Sequence, residues 1–468
     1  MKITAAMLLL ASTAGIADAR SNRFKIPLPT AAQLKYQEQE IVALTHFNMA
    51  TFFRDGDPAC DNINWAKSQQ PASFAPTNLN VSNWIEHYKA VGAKSGILTA
   101  KHGCGFLLWP TNVTLPNGDN YGYHIGGEGG LGIDLAAEFS EKMQEAGLPH
   151  SFYYSLKDSF YLNAIGDAVK PPSTLLPGQV NVTQDQFEDI SVAAVTELWS
   201  RYGDLAEIWF DGGISDHIHD RIVPLLQKLQ PNAVTMGAGI ANDPNEVDWV
   251  GTETGMPTYP VWSTGCVGTS GAGNTGESPE TATNFCPKCG DCTLQSPDVW
   301  FWEPNIPIKS LDTLKDMYHG TVGQNGVMEL DFAVDRTGNI DPTHSKRYFE
   351  FGDWIRACYG TPVATTGPSF EQTTVLNLTL TSDPAGVNID RVVVMEDLSQ
   401  GQVITQYSVE ALLSGADAYT PFVNGTAVGH KHINIASAAI KATALRLTVD
   451  ASVAPPSVSL AAFAPDNC

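Results

Sequence analysis

The sequence predicts an α/β protein: a (β/α) TIM-like barrel over residues 20–358, followed by a β-sandwich over residues 359–468. Between about residues 40 and 335, short apolar runs alternate with segments whose apolar side chains recur at helical spacing, the rhythm of a strand–helix barrel. The runs are apolar almost throughout, as strands covered on both faces are. Beyond about residue 360 the texture changes to short alternating runs divided by turn residues, which reads as a sandwich.

In chain order, residues 1–19 read as a secretion signal. Lys2 gives the positive start, residues 5–14 the apolar stretch and Ala17-Asp18-Ala19 a small-residue cleavage site, leaving Arg20 as the mature N-terminus. No other apolar run reaches the ~20 residues that a membrane span needs, so a soluble, secreted, extracellular chain is expected. Barrel strands are predicted at 41–49, 96–101, 151–156, 206–211, 233–237, 248–253 and 327–332. Between them, Trp84, Ile85, Tyr88 and Val91 share one helical face, as do Leu135, Phe139, Met143 and Ala146. Phe187, Ile190, Ala194 and Leu198 form a third such face, and Ser310 is the expected N-cap of a helix carrying Leu311, Leu314 and Met317. A doubly wound sheet fits less well, because no Gly-rich phosphate turn follows the first strand.

Residues 255–299 break the pattern: they are rich in Gly, Ser, Thr, Pro and Cys and show no period. So long a segment after a barrel strand is expected to lie over the C-terminal face, where barrel active sites are built. Sandwich strands are predicted at 374–380, 390–395, 404–409 and 444–449. The sandwich either braces the barrel or binds carbohydrate.

With 27 Lys+Arg against 50 Asp+Glu the formal charge is −23, which argues against a nucleic-acid partner. A chain that is 43% hydrophobic and 16% charged is not disordered. Eight cysteines form an even set, which in a secreted protein favours disulfides. The Cys286-x-x-Cys289-x-x-Cys292 run is alternatively part of a zinc or iron–sulfur site, but no second CxxC pair accompanies it. Sequons at Asn80, Asn112, Asn181, Asn377 and Asn424 agree with export and glycosylation.

The strongest chemical candidate is Asp211. It ends an apolar strand and precedes two glycines, so a barrel would place its carboxylate in the mouth as nucleophile or electrostatic stabiliser. A turn or helix N-cap role is the plain alternative. His46 and His102 stand near the ends of the first two strands, where they would either hydrogen-bond a polyhydroxylated ligand or bind a metal. Trp209 precedes Asp211 by two positions and so shares its side of the strand, where an indole can stack on a sugar face. Trp109, Trp300, Phe301 and Trp302 are further aromatic candidates. A retaining glycosidase needs a second carboxyl group ~5–5.5 Å from the nucleophile. Glu253, Glu277, Glu280 and Asp291 are the candidates.

These segments, taken in order, resemble the α-L-fucosidases of glycoside hydrolase family 29. The matching pieces run from Leu98 through Lys101-His102-Gly103 to Trp109-Pro110, then Phe152-Tyr153-Tyr154-Ser155 and Tyr202-Gly203 through Trp209-Phe210-Asp211-Gly212. Gly251-Thr252-Glu253-Thr254-Gly255, Trp300-Phe301-Trp302 and Leu314 through Gly323 follow. The resemblance implies a retaining exo-α-L-fucosidase acting on fucosylated glycans, with no metal or cofactor. It implies Asp211 as the nucleophile, Trp209 beside it, His46 and His102 on the fucose hydroxyls, and Tyr154 and Trp302 in the sugar site. Two departures stand out. Gly103 replaces the second His of the family's pair, and Cys289 occupies the position of an acid/base Glu in a P-x-E-x-D pattern. The expectation is that the acid moved into the enlarged loop, to Glu277 or Glu280. The alternative is a catalytically impaired fucose-binding protein on the same fold, and a metal-dependent hydrolase is a third reading.

Overall fold

The structure is a computed structural model that describes residues 25–52, 70–237, 239, 243–266, 275–367, 369–465 and 468; the expected secretion signal lies outside these residues. Eight parallel strands close into a barrel in chain order: β1 Ile41–Thr45, β2 Ser95–Lys101, β3 His150–Tyr154, β4 Glu207–Trp209, β5 Val234–Met236, β6 Glu246–Trp249, β7 Lys288–Cys292 and β8 Gly326–Asp331. Helix α1, Ala31–Gln37, lies at the N-terminal end of the barrel, and α2, Val81–Val91, follows β1. α3, Leu135–Glu145, follows β2, α4, Gln184–Arg201, follows β3, and α5, Asp216–Leu229, follows β4. α6, Leu311–Gly320, and α7, Pro342–Tyr359, follow β7 and β8.

Local chemistry sets these boundaries. Thr30 and Thr183 start α1 and α4 as capping boxes with Gln33 and Gln186. Asn80 and Asp134 cap α2 and α3, and Gly92 ends α2 in the left-handed conformation that costs a glycine little. Ser310 accepts the Thr313 amide, the cap expected of it. The three predicted helical stripes all face inward: Trp84, Phe139 and Leu198 are fully buried.

The patternless segment 255–299 hides strand β7. Its sequence, Lys-Cys-Gly-Asp-Cys, carries none of the branched apolar residues that mark the other strands, yet every residue is buried. Parallel pairing explains the path of the loop before it. Lys288, the first residue of β7, pairs with Asp248 on one side and with Gly326, the first residue of β8, on the other. The chain must therefore descend the outside of the barrel after β6. Residues 257–266 and 275–287 lie along this descent, and at the bottom Gln33 Nε2 of α1 donates to the Glu246 and Phe285 carbonyls. The expectation that the whole segment covers the C-terminal face is corrected accordingly: only its first residues and those after β7 do so.

The C-terminal part is antiparallel. Ala364–Thr365, Glu371–Gln372, Val375–Thr379, Val387–Glu396, Ile404–Leu413, Tyr419–Gly425, His432–Ser452 and Ser457–Phe463 pair into one eight-stranded sheet. His432–Ser452 pairs with Val387–Glu396 over its first half and with Ile404–Leu413 over its second, so the sheet curls around its own core of Val392, Val394, Tyr407 and Leu447. The opposite face, through Val393, Ile433 and Phe463, packs on the barrel.

Disulfides join Cys266 to Cys286 in the descending loop and Cys358 to Cys468 between α7 and the C-terminus. Cys104 is also disulfide-bonded, while Cys60 lies outside the described residues. Cys289 and Cys292 are free and buried in β7, so the expected even set of disulfides does not extend to them.

Candidate active site

Strand parity decides what enters the barrel. Odd positions of β3 and β4, Tyr153 and Trp209, point inside with Val42, Leu44 and Ile97, whereas Phe152, Tyr154 and Ile208 point out to the helices. Asp211 lies two residues beyond Trp209, just past the end of β4, and is partly exposed. The Tyr153 hydroxyl donates to Asp211 Oδ2 at 2.5 Å. Burial, then the Asp211 charge, push the Tyr153 phenol well above its usual range, so it stays a donor.

The rings around Asp211 form one packed group. Tyr153 is stacked between Trp209 (centroids 5.1 Å apart) and His102 (5.2 Å, nearly parallel). His46 meets His102 edge-on, and Trp300 and Phe301 close over His46 at 5.0 and 5.1 Å. His46 Nδ1 bonds Asp331 Oδ1 at 2.8 Å, at the end of β8. Burial lowers His46 to about 3, with the Asp211 charge opposing, so the ring is neutral. With Nδ1 held by Asp331, Nε2 is the ring nitrogen left for a sugar hydroxyl. Lys101 ends β2 beneath this group; burial lowers it to about 7, and its ammonium is held by the Ser155 and Asp158 carbonyls.

The second carboxyl comes from the short turn after β6. Glu253 and Thr252 both hold left-handed backbone conformations (φ 60° and 49°) between Gly251 and Gly255. Two consecutive non-glycine residues in this region are costly, and such strain persists where surrounding structure enforces it, often at functional sites. The Glu253 side chain is exposed, yet partial desolvation of its carboxyl, then the Asp211 charge, raise it above its usual range, and a hydrogen bond from the Trp300 side chain partly opposes them. Asp291, pointing inward from β7, is a third carboxyl: it accepts Trp249 Nε1–H at 2.5 Å and is raised well above its usual range, first by burial.

The structure thus brings Asp211, His46, His102 and Trp209 together and departs from the predicted site at Tyr154, Glu277 and Glu280. Tyr154 faces outward, in the Trp109 and α4 packing with the Lys101 ammonium over its ring. Adjacent strand residues cannot share a face, so Tyr153 is the tyrosine of the site. Glu277 and Glu280 belong to the descending loop at the other end of the barrel. Glu277 N–H bonds the Thr264 carbonyl, and its charge acts on Lys288, the first residue of β7; Glu280 is three residues on in the same exposed turn. Parallel topology forbids either from reaching Asp211. Trp302 lies beyond Trp300 and Phe301, with the Arg336 guanidinium 5.7 Å over its ring. Cys289, read as the site of a missing acid, points into the barrel interior beside Tyr36, Glu207 and Glu329.

For a metal, the described residues offer one cluster, Asp248 with Cys266 and Cys286, but those two sulfurs are bonded to each other. Sequence reasoning passed over Asp331 and Glu329. Both lie on β8 at alternate positions, and acidic residues spaced by two in a buried run were the available signal.

Comparison with known proteins identifies the family. The alpha-L-fucosidase family profile matches residues 34–360. Alpha-L-fucosidase 1 of Arabidopsis thaliana is 25% identical over 93% of this chain and 87% of its own length. A putative alpha-L-fucosidase 1 of Oryza sativa is 26% identical over 93% and 84%. The crystal structure of a putative alpha-L-fucosidase from Bacteroides thetaiotaomicron superposes with a TM-score of 0.80 at 29% identity, covering 94% of this chain and all of that one. This chain belongs to the alpha-L-fucosidase family.

Proposed function

We propose that the protein is a secreted, retaining exo-α-L-fucosidase in which Asp211 is the nucleophile and Glu253 the acid/base. The observation that carries the reading is the pairing of Asp211 with a raised carboxyl at Glu253, each presented from the C-terminal end of a barrel strand. Asp211 attacks the anomeric carbon of a terminal α-L-fucosyl residue while Glu253 gives its proton to the departing glycosidic oxygen. The bond to the aglycone breaks, and a covalent fucosyl-enzyme remains. Glu253, now ionised, takes a proton from water, whose oxygen displaces Asp211 and releases L-fucose with its configuration kept. The Tyr153 hydroxyl bonds the free oxygen of Asp211 and holds the reacting one on line. His46 Nε2 and His102 supply hydroxyl contacts, and Trp209 and Trp300 supply apolar faces.

An impaired fucose-binding protein was favoured by the absence of a Glu at position 289. Against that support stands the placement of residue 289 inside the barrel, beside Tyr36, Glu207 and Glu329, where a carboxyl would not reach the mouth. Secretion and glycosylation belong to the same proposal; all five sequon asparagines are exposed. Proton NMR of an aryl α-L-fucoside digest tests the reaction. The α-anomer of fucose should appear first, and the β-anomer as first product would sink the retaining mechanism.

A further inference from the structure

Below the site, Glu329 is fully buried in the middle of β8 and points into the barrel. Its Oε2 accepts Trp209 Nε1–H at 2.9 Å and its Oε1 accepts the Tyr36 hydroxyl of α1 at 2.8 Å. The Glu207 carboxyl and the Cys289 thiol bond it as well. Every one of these partners can donate. Burial raises both carboxyls, Glu207 the further, so the shared proton sits on Glu207 and Glu329 accepts it. A carboxylate serving several donors is pinned in place, and it pins them in turn.

One of those donors is the indole that supports the site. Trp209 stacks on Tyr153, and Tyr153 bonds Asp211. An indole N–H can only donate, so without an acceptor in the barrel the buried Trp209 N–H is left unsatisfied and the ring loses the polar contact that orients its edge. We propose that Glu329 is a positioning residue of the fucosidase, acting through Trp209 and Tyr153 to fix the hydrogen bond received by Asp211. It touches neither substrate nor reacting atoms. The inference rests on the catalytic reading above.

The test is a double-mutant cycle on hydrolysis of an aryl α-L-fucoside, with thermal melting as the check on folding. Glu329→Met removes both acceptors and should lower kcat about tenfold or more with KM within about twofold, the signature of misplaced groups rather than lost binding. Tyr153→Phe should lower kcat too, and the double variant should be little worse than the worse single one. Glu329→Gln should recover most of the loss: its one carbonyl oxygen serves Trp209, while the Tyr36 hydroxyl turns to accept from the amide.

Full activity in Glu329→Met would overturn the proposal, as would losses that multiply with Tyr153→Phe. So would equal damage from Gln and Met, which would mean that the charge matters and the acceptor does not. If the Met variant does not fold, Trp209→Phe cuts the same link from the other end, and the same non-additivity with Tyr153→Phe is required. Inactivity of the unaltered protein on the aryl fucoside would count against the catalytic reading instead, so the two failures are distinct.

Discussion

The Glu253 carboxyl stands within electrostatic reach of the Asp211 carboxylate, at the ends of strands separated by one neighbour in the barrel, and that charge helps to keep its proton on. The proposed roles, Glu253 as proton donor and Asp211 as nucleophile, are tested by substitution at each. Asp211→Ala should abolish turnover. Glu253→Ala should lower kcat about 10²–10⁴-fold on a substrate with a poor leaving group and less on an activated aryl fucoside. Azide should rescue Glu253→Ala on the activated substrate, because it replaces the water that needs a base. Glu277→Ala and Glu280→Ala should leave rates unchanged. Azide rescue at either of those, and none at 253, would reassign the acid.

The pH profile follows from the same carboxyl. As the acid, Glu253 must be protonated in the free enzyme, so kcat/KM falls as pH rises through its raised value. The Trp300 side chain donates to Glu253 and favours its ionised form. Trp300→Phe removes that donor, raises the carboxyl further and should move the alkaline limb of kcat/KM to higher pH. A limb that stays in place, or moves down, would show that another group sets it. His46, lowered to about 3, stays neutral throughout this range and contributes no limb above it.

The two adjacent tyrosines separate site from scaffold. Tyr153→Phe removes the donor to Asp211 and should lower kcat with little change in melting temperature, since the ring and its stacking remain. Tyr154→Ala opens a cavity in the barrel–helix packing and should cost about 3–5 kcal/mol of stability, read in denaturant melts. If Tyr154→Phe, which keeps the packing, lost activity as severely as Tyr153→Phe, the placement of the two rings would be wrong.

Where the sequence was legible, one period dominated. β1, β2, β3 and β8 are apolar runs, and the stripes on α2, α3 and α4 are cleanly helical, so barrel and helices could be read directly. β7 could not, because a strand buried inside a closed barrel can be built from Lys, Cys, Gly and Asp once ion pairs satisfy it. Lys288 Nζ reaches Asp248 at 2.7 Å and the Gly265 carbonyl at 2.8 Å, and Asp291 takes the Trp249 indole. Missing β7 also shaped the choice of candidate acid: with 255–299 read as one loop over the mouth, Glu277 looked near and Glu253 only one choice among four. Asp211, His46 and His102 were legible because strand ends of a parallel barrel all open on one face. Which of Tyr153 and Tyr154 points inward was not, since a one-residue change of phase exchanges the two faces.

The cysteines give a test of β7 that is independent of catalysis. If residues 288–292 form an interior strand, Cys289 and Cys292 are shielded on opposite sides of it, one in the barrel and one against the helices. Burial raises both thiols well above their usual range, so they are protonated and poor nucleophiles. In the folded protein neither should react with iodoacetamide. Denaturation without reductant should make both reactive, while Cys266, Cys286, Cys358, Cys468 and Cys104 stay blocked as disulfides until reduced. Peptide mapping of the two labelling steps distinguishes the sets. Labelling of Cys289 before unfolding would place it on an open loop, in keeping with the sequence reading and against the strand. A peptide containing Cys289 linked to Cys292 would do the same, since side chains on opposite faces of one strand cannot meet.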